Sequence, residues 1–193
     1  LRDSRKAQRP LSLYVHVPFC ANICYYCACN KVITKDRGRA LPYLERLEKE
    51  IELISCHLDP KQQVEQLHFG GGTPTFTDGR ELRRLLESLP SAEEVTVEAN
   101  PETVTPALAR LLRESGVTRV SLGAQSFQPS LLRVLERQAG PEAVRRAFYH
   151  LRDANFDNIS LDLLHGIPGQ SAAALSLDID EALTLAPEHI SYY

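Results

Sequence analysis

Six short runs of strand character alternate with stretches of helical periodicity, and that alternation restricts this chain to one class of architecture. The strand-like runs are Leu11 to Val17, Val64 to Phe69, Glu94 to Ala99, Arg119 to Gln125, Ile159 to Leu164 and Ile190 to Tyr193. Between them Leu44, Leu47, Ile51 and Ile54 recur at helical spacing, as do Leu82, Leu85, Leu86 and Leu89. Thr105 and Pro106 read as the N-cap and first-turn proline of a helix through Leu112. Gly140 and Pro141 open another through Leu151, and a last helix surrounds Leu175, Ile179, Ala182 and Leu183. Successive βα units of this kind predict an α/β fold with a parallel sheet and right-handed crossovers. Periodicity alone is compatible with both an open doubly wound sheet and a barrel.

The polar residues gather at one end of those strands. The first run leads into a cysteine-rich segment and the second into Gly70, Gly71, Gly72 and Thr73. The third ends at Glu98, the fourth at Gln125, and the fifth carries Asp162. In parallel α/β sheets ligands bind at the carboxyl ends of strands, so five consecutive strands predict one shared site. The triple glycine lacks the pattern of a P-loop or of a dinucleotide fold. Its bare backbone suits a small ligand with amino and carboxylate groups, or simply a tight turn. Glu98, Gln125, Arg137 and Asp162 together offer carboxylates for hydroxyl or ammonium groups and a guanidinium for a carboxylate. Singly, a strand-end carboxylate more often caps a helix or meets a surface lysine, and a helical arginine is usually part of a solvated face. His16 reads as a site residue or as a hydrogen-bonded core histidine; His68 carries no signal, and Cys56 is expected to be a buried small hydrophobe.

Four of the five cysteines fall within ten residues, as Cys20, Cys24, Cys27 and Cys29 in VPFCANICYYCACN. Such spacing is too tight for an unstrained disulfide framework. Structural zinc usually takes two separated pairs of ligands, and no second pair is present. An iron–sulfur cube is better suited to a compact run, because one loop can reach several of its irons. Cys20, Cys24 and Cys27 would supply three thiolates and leave one iron open. A zinc-stabilised binding module with no catalytic role remains the alternative.

With 43% hydrophobic and 24% charged residues, the 193-residue chain is ordinary globular material, long enough for one core. A net charge of −3 gives no electrostatic case for nucleic acid or an anionic membrane. No apolar run approaches the roughly 20 residues of a membrane span. The polar, basic start LRDSRKAQRP is unlike a secretory leader, and clustered thiols fit a reducing cytoplasm. The chain starts at Leu1, contains no Met, and ends in the strand-like HISYY, which predicts that it is a piece of a longer protein. Residues 1–10 are expected to form a lead-in, and residues 11–193 a single core.

The segment RPLSLYVHVPFCANICYYCACNKVIT, followed by LHFGGGTPT, VEANP, SLGAQSF and DLLHGIPGQ, resembles the radical S-adenosylmethionine enzymes. Within them it is similar to the oxygen-independent coproporphyrinogen III oxidases and their haem-chaperone relatives, from about Arg9 onward. This resemblance implies an incomplete (β/α)6 barrel ending at its sixth strand. It also implies that Cys20, Cys24 and Cys27 hold a 4Fe-4S cluster whose open iron is chelated by S-adenosylmethionine. Reductive cleavage would then give a 5′-deoxyadenosyl radical. In the oxidases that radical starts the oxidative decarboxylation of coproporphyrinogen III propionates to vinyl groups, yielding protoporphyrinogen IX.

Matched motif by motif, Tyr14, Gly71 and Glu98 fall where the oxidase contacts the cluster-bound S-adenosylmethionine. Tyr26, Gly72, Thr73, Gln125, Arg137 and Asp162 fall where it holds a second one. Cys29 occupies the oxidase's extra cysteine position, outside the cluster. An external flavodoxin- or ferredoxin-like electron donor, a tetrapyrrole substrate or haem, and a monomeric state complete the expectation. The chain also departs from the oxidase pattern: EANPE stands for EVDPR, AQSF for VQDF, and HGIPGQS resembles the haem chaperones. A haem-binding chaperone on the same scaffold is therefore the principal alternative.

Overall fold

A computed structural model describes residues 9–193, so most of the expected lead-in lies outside the described residues. The elements run β1 (Leu11–Val17), β2 (Phe19–Cys20), β3 (Val32–Ile33), α1 (Ala40–Ser55) and β4 (Val64–Gly71). They continue through α2 (Gly79–Glu87), β5 (Ala92–Ala99), α3 (Pro106–Glu114), β6 (Arg119–Gln125), α4 (Pro129–Val134) and α5 (Pro141–Asp153). Last come β7 (Ile159–Leu163), α6 (Ala172–Thr184) and β8 (His189–Tyr192).

Six of these strands form one sheet in the order β1-β4-β5-β6-β7-β8, with every neighbouring pair parallel. Spatial order therefore follows chain order. A doubly wound sheet reverses at a switch point. Without reversal, right-handed crossovers carry every helix to the same side. That is the winding of an incomplete (β/α)6 barrel, with β1 and β8 as its edges.

Strand alternation sorts the residues accordingly. Leu67, Phe69, Val97, Leu122 and Leu161 are buried in one core with Leu85, Leu112, Val144 and Phe148 from the helices. Each such side chain contributes about 1.5–3 kcal/mol. The intervening positions present Tyr14, His16, His68, Glu98, Ser121 and Asp162 on the other face. Register aligns Tyr14 with His68, Glu98 with Ser121, and Gly123 with Asp162. A polar lane thus crosses the sheet on the side away from the helices.

Local chemistry sets the boundaries. Thr105 caps α3 by accepting from Leu108 N–H, and Asp78 and Ser171 cap α2 and α6 in the same way. Strand β4 runs past its apolar stretch to Gly71, because Gly70 and Gly71 still pair with His16 and Val17. Leu89 lies beyond the end of α2. Cys56 is exposed rather than buried: it caps the C-terminus of α1, beside exposed Leu53 and Ile54, and its thiol faces Glu52 O at 3.4 Å.

Candidate functional site

The cysteine segment is a loop tied at both ends. Cys20 closes β2, whose pairing with β3 brings Val32 N–H to Pro18 O at 2.8 Å and Thr34 N–H to Cys20 O at 2.9 Å. Lys31 Nζ donates to Cys27 O at 2.6 Å, and Tyr25 N–H to Leu135 O at 3.2 Å. His16 Nε2 donates to Asn30 O at 2.9 Å, which leaves Nδ1 to accept from the Tyr14 hydroxyl at 3.1 Å. Tyr43 in turn donates to His16 O at 2.6 Å. The loop is anchored to the sheet by side chains from β1 and α1.

In the loop Cys20, Cys24 and Cys27 are half-buried free thiols and Cys29 is an exposed one. Burial pushes the Cys20 thiol up, against a 3.5 Å contact with the Thr73 hydroxyl, and the neighbouring Cys27 and Cys24 push it further. Burial and then Cys27 raise Cys29 in the same direction. Deprotonating thiols packed this closely calls for a cationic centre. Among the described residues, no three His, Cys, Asp or Glu side chains converge on one metal-ion position. Tetrahedral zinc draws its sulfurs to about 2.3 Å from a single atom. A cube spreads its ligands over separate irons, and three half-buried sulfurs on one loop fit it better.

Two adjoining cavities meet at this loop. One, of about 70 Å³, is lined by Cys20, Cys24, Cys27 and Lys31. The other, of about 160 Å³, is lined by Cys29, Gly71, Glu98, Gln125 and Asp162. Tyr26, Cys27, Gly72, Thr73 and Arg137 belong to both. The structure thus gathers twelve of the thirteen sequence-predicted residues around one space. Tyr14 is outside these walls and joins the site through His16 and His68.

The glycines are required by close packing. A Cβ on Gly72 would lie 2.6 Å from the backbone carbonyl carbon and oxygen of Pro18. Gly71 has φ +114°, and a Cβ there would meet the His16 ring at 2.6 Å. Bare backbone therefore borders the cavity where β4 ends.

The polar lane supplies the remaining walls. Glu98 accepts from His68 Nε2 at 2.9 Å and from Gly71 N–H at 3.3 Å. Asp162 takes the Ser121 hydroxyl at 2.9 and 3.0 Å on its two oxygens; burial nevertheless raises its carboxyl above the usual range. Gln125 is buried in the left-handed region at φ 70°, and its carbonyl accepts from Leu164 N–H at 2.9 Å. Arg137 stands in the loop between α4 and α5. Its Nη2 donates to Gly123 O at 2.7 Å and its Nη1 faces Cys24 Sγ at 3.7 Å, while Nε is buried without a partner. Burial raises the Tyr26 phenol, against the Arg137 charge that lowers it. Carboxylates, a guanidinium and open backbone thus face the cysteine sulfurs, as an amino-acid-bearing nucleoside cofactor needs.

Three contributors, His68, Ser121 and Asp178, carry no reading in the sequence, and His16, open there between a site role and a core role, joins them. His68 and Ser121 are placed by the same alternation that places Glu98 and Asp162, so following period two back from the strand ends finds them. His16 is the hinge between Tyr14 and the cysteine loop. Asp178, only 1% exposed, accepts from the Ser126 hydroxyl and Phe127 N–H, each at 2.7 Å, and so fixes the turn after Gln125. It carries no sequence signal, because its partners lie some fifty residues earlier in the chain.

Comparison with known proteins agrees with this geometry. The chain is 48% identical over 201 residues to the oxygen-independent coproporphyrinogen III oxidase of Pseudomonas aeruginosa, covering 100% of the chain and 44% of that relative. It is 37% identical over 190 residues to the heme chaperone HemW of Bacillus subtilis, covering 94% of the chain and 49% of the relative. Its fold superposes on the coproporphyrinogen III oxidase (HemN) of Escherichia coli, a radical SAM enzyme, with a TM-score of 0.85 and 33% identity, over 98% of this chain and 45% of that one. The chain spans less than half the length of these relatives. The model of the radical SAM superfamily matches residues 14–181, and the chain belongs to that superfamily.

Proposed function

We propose that this chain is the catalytic core of an oxygen-independent coproporphyrinogen III oxidase. In this reading Cys20, Cys24 and Cys27 hold the 4Fe-4S cluster, and Cys29 stands beside it as a bystander. A cluster held there would supply the electron for reductive cleavage of S-adenosylmethionine and, with it, the radical chemistry that oxidative decarboxylation of a propionate needs. The chain's residues bind, orient and shield. Tyr14, Gly71 and Glu98 receive the cluster-bound S-adenosylmethionine, with the Glu98 carboxylate available to its ammonium or hydroxyl groups. Tyr26, Gly72, Thr73, Gln125, Arg137 and Asp162 line the space for a second molecule, where the Arg137 fork suits a carboxylate.

The observation that carries this reading is the convergence of three half-buried cysteines and the strand-end polar groups on adjoining cavities. The substrate is a tetrapyrrole, the electron donor is a small flavodoxin- or ferredoxin-like protein, and the enzyme works as a monomer in the cytoplasm. Among the described residues, no helix is long and apolar enough to cross a membrane.

One observation favours a second reading. Ser126, where the oxidase pattern has an acidic residue, is bonded to Asp178, and HGIPGQS follows the chaperone pattern. Anaerobic turnover by the full-length protein separates the two. Formation of protoporphyrinogen IX with release of two carbon dioxide molecules per coproporphyrinogen III supports the oxidase. Stoichiometric haem transfer without decarboxylation supports the chaperone.

A further inference from the structure

We infer that His68 is a positioning residue that fixes the Glu98 carboxylate for cofactor binding; this rests on the reading of Glu98 as a contact to S-adenosylmethionine. A carboxylate only accepts hydrogen bonds, so His68 Nε2 carries the proton in its 2.9 Å contact with Glu98 Oε1. Glu98 Oε2 faces Gly71 N–H at 3.3 Å, which leaves lone pairs on both oxygens directed elsewhere. The carboxylate lies so close over Gly70 that a Cβ there would stand 2.8 Å from Oε1. Held on two sides and from beneath, Glu98 keeps one rotamer that a free glutamate on a strand would leave, and it surrenders that freedom before the ligand arrives.

His68 is itself oriented. Tyr14 is its register partner on β1, and their rings stack with centroids 5.8 Å apart and planes at 26°. The Tyr14 hydroxyl continues to His16, and His16 to the carbonyl of Asn30 at the end of the cysteine loop. A string of five residues thus ties the carboxylate of β5 to the segment that carries the thiols. Both the His68 and Glu98 side chains are 39% exposed, so neither is a core packing element and each can be replaced without emptying the core.

The test is S-adenosylmethionine affinity by equilibrium dialysis on anaerobically reconstituted protein, with iron content and thermal midpoint measured for every variant. His68→Ala weakens binding about tenfold at unchanged iron content, and Glu98→Gln weakens it to a similar degree. His68→Gln, whose amide also donates to the carboxylate, stays within about threefold of the parent. The double variant His68→Ala/Glu98→Ala binds no more weakly than Glu98→Ala alone, because the proposed role of His68 runs through the Glu98 carboxylate and not through its stacking on Tyr14. Parent-like binding by His68→Ala beside a weakened Glu98→Gln overturns the proposal and leaves the role of Glu98 standing. Additive losses in the double variant overturn it as well. Parent-like binding by Glu98→Gln overturns the reading of Glu98 on which the proposal rests.

Discussion

The guanidinium of Arg137 joins two parts of the chain that are distant in sequence: Nη2 lies 2.7 Å from Gly123 O on β6, and Nη1 lies 3.7 Å from Cys24 Sγ. A positive donor aimed at a cluster thiolate stabilises the more negative, reduced state. Arg137→Ala is therefore predicted to lower the reduction potential of the reconstituted cluster by tens of millivolts. Arg137→Lys, which keeps the charge without the fork, falls between the two. A redox titration followed by EPR reads the difference.

Gly72 is where the end of β4 touches the approach to the cysteine loop. A Cβ added there meets the Pro18 carbonyl at 2.6 Å, and that carbonyl is already committed to Val32 N–H. Gly72→Ala is predicted to cost about 1–3 kcal/mol, the range for forced overpacking against an element that cannot yield. Urea unfolding of the apo protein measures it, as a lower midpoint at unchanged slope.

Burial raises the Asp162 carboxyl, with the Ser121 hydrogen bond opposing the shift. A carboxylate whose pKa is higher folded than unfolded binds more protons in the native state. Stability therefore declines as pH rises from the ordinary aspartate value, about 3.9, through the folded value. Asp162→Asn is predicted to unfold at a higher temperature than the parent at pH 7, with the gap closing as pH falls towards 4. On the proposed reading the same variant also binds S-adenosylmethionine more weakly. Thermal scans across pH and equilibrium dialysis read the two effects independently.

Asp178 is a buried carboxylate that forms no ion pair among the described residues; its oxygens accept from the Ser126 hydroxyl, Phe127 N–H and Gln128 Nε2. Truncation to Ala strands these donors. A loss of about 3 kcal/mol is expected, because hydrogen bonds to charged groups are worth about 1.5–3 kcal/mol each. Asp178→Asn, which keeps one acceptor, loses less. Since Asp178 fixes the turn after Gln125, Asp178→Asn also weakens S-adenosylmethionine binding at unchanged iron content.

The arrangement of strands was legible in the sequence because apolar alternation and helical spacing leave little choice for successive βα units. The extents of β1 and β6 follow directly from their apolar runs. β4 continued to Gly71, since backbone pairing with β1 does not need the apolar residues that mark a strand in sequence. Cys20, Glu98, Gln125 and Asp162 were legible as strand-end chemistry. His68 was not, because nothing in a single strand says that its neighbour across the ladder is Tyr14 or that Glu98 stands beside it. Asp178 was illegible for a similar reason: an acidic residue on an amphipathic helix reads as solvated until the turn that it caps is brought over it. Cys56 misleads in the other direction, since a lone cysteine after a helix reads as a buried small hydrophobe and lies exposed at the helix end.

The proposed ligand set is Cys20, Cys24 and Cys27 alone, with one iron left to S-adenosylmethionine. The most direct measurement is the EPR spectrum of the reduced, reconstituted Cys29→Ala protein, recorded with and without S-adenosylmethionine. A 4Fe-4S signal of parental intensity that shifts when S-adenosylmethionine is added is the predicted result. Loss of that signal, or a signal that S-adenosylmethionine leaves unmoved, contradicts it.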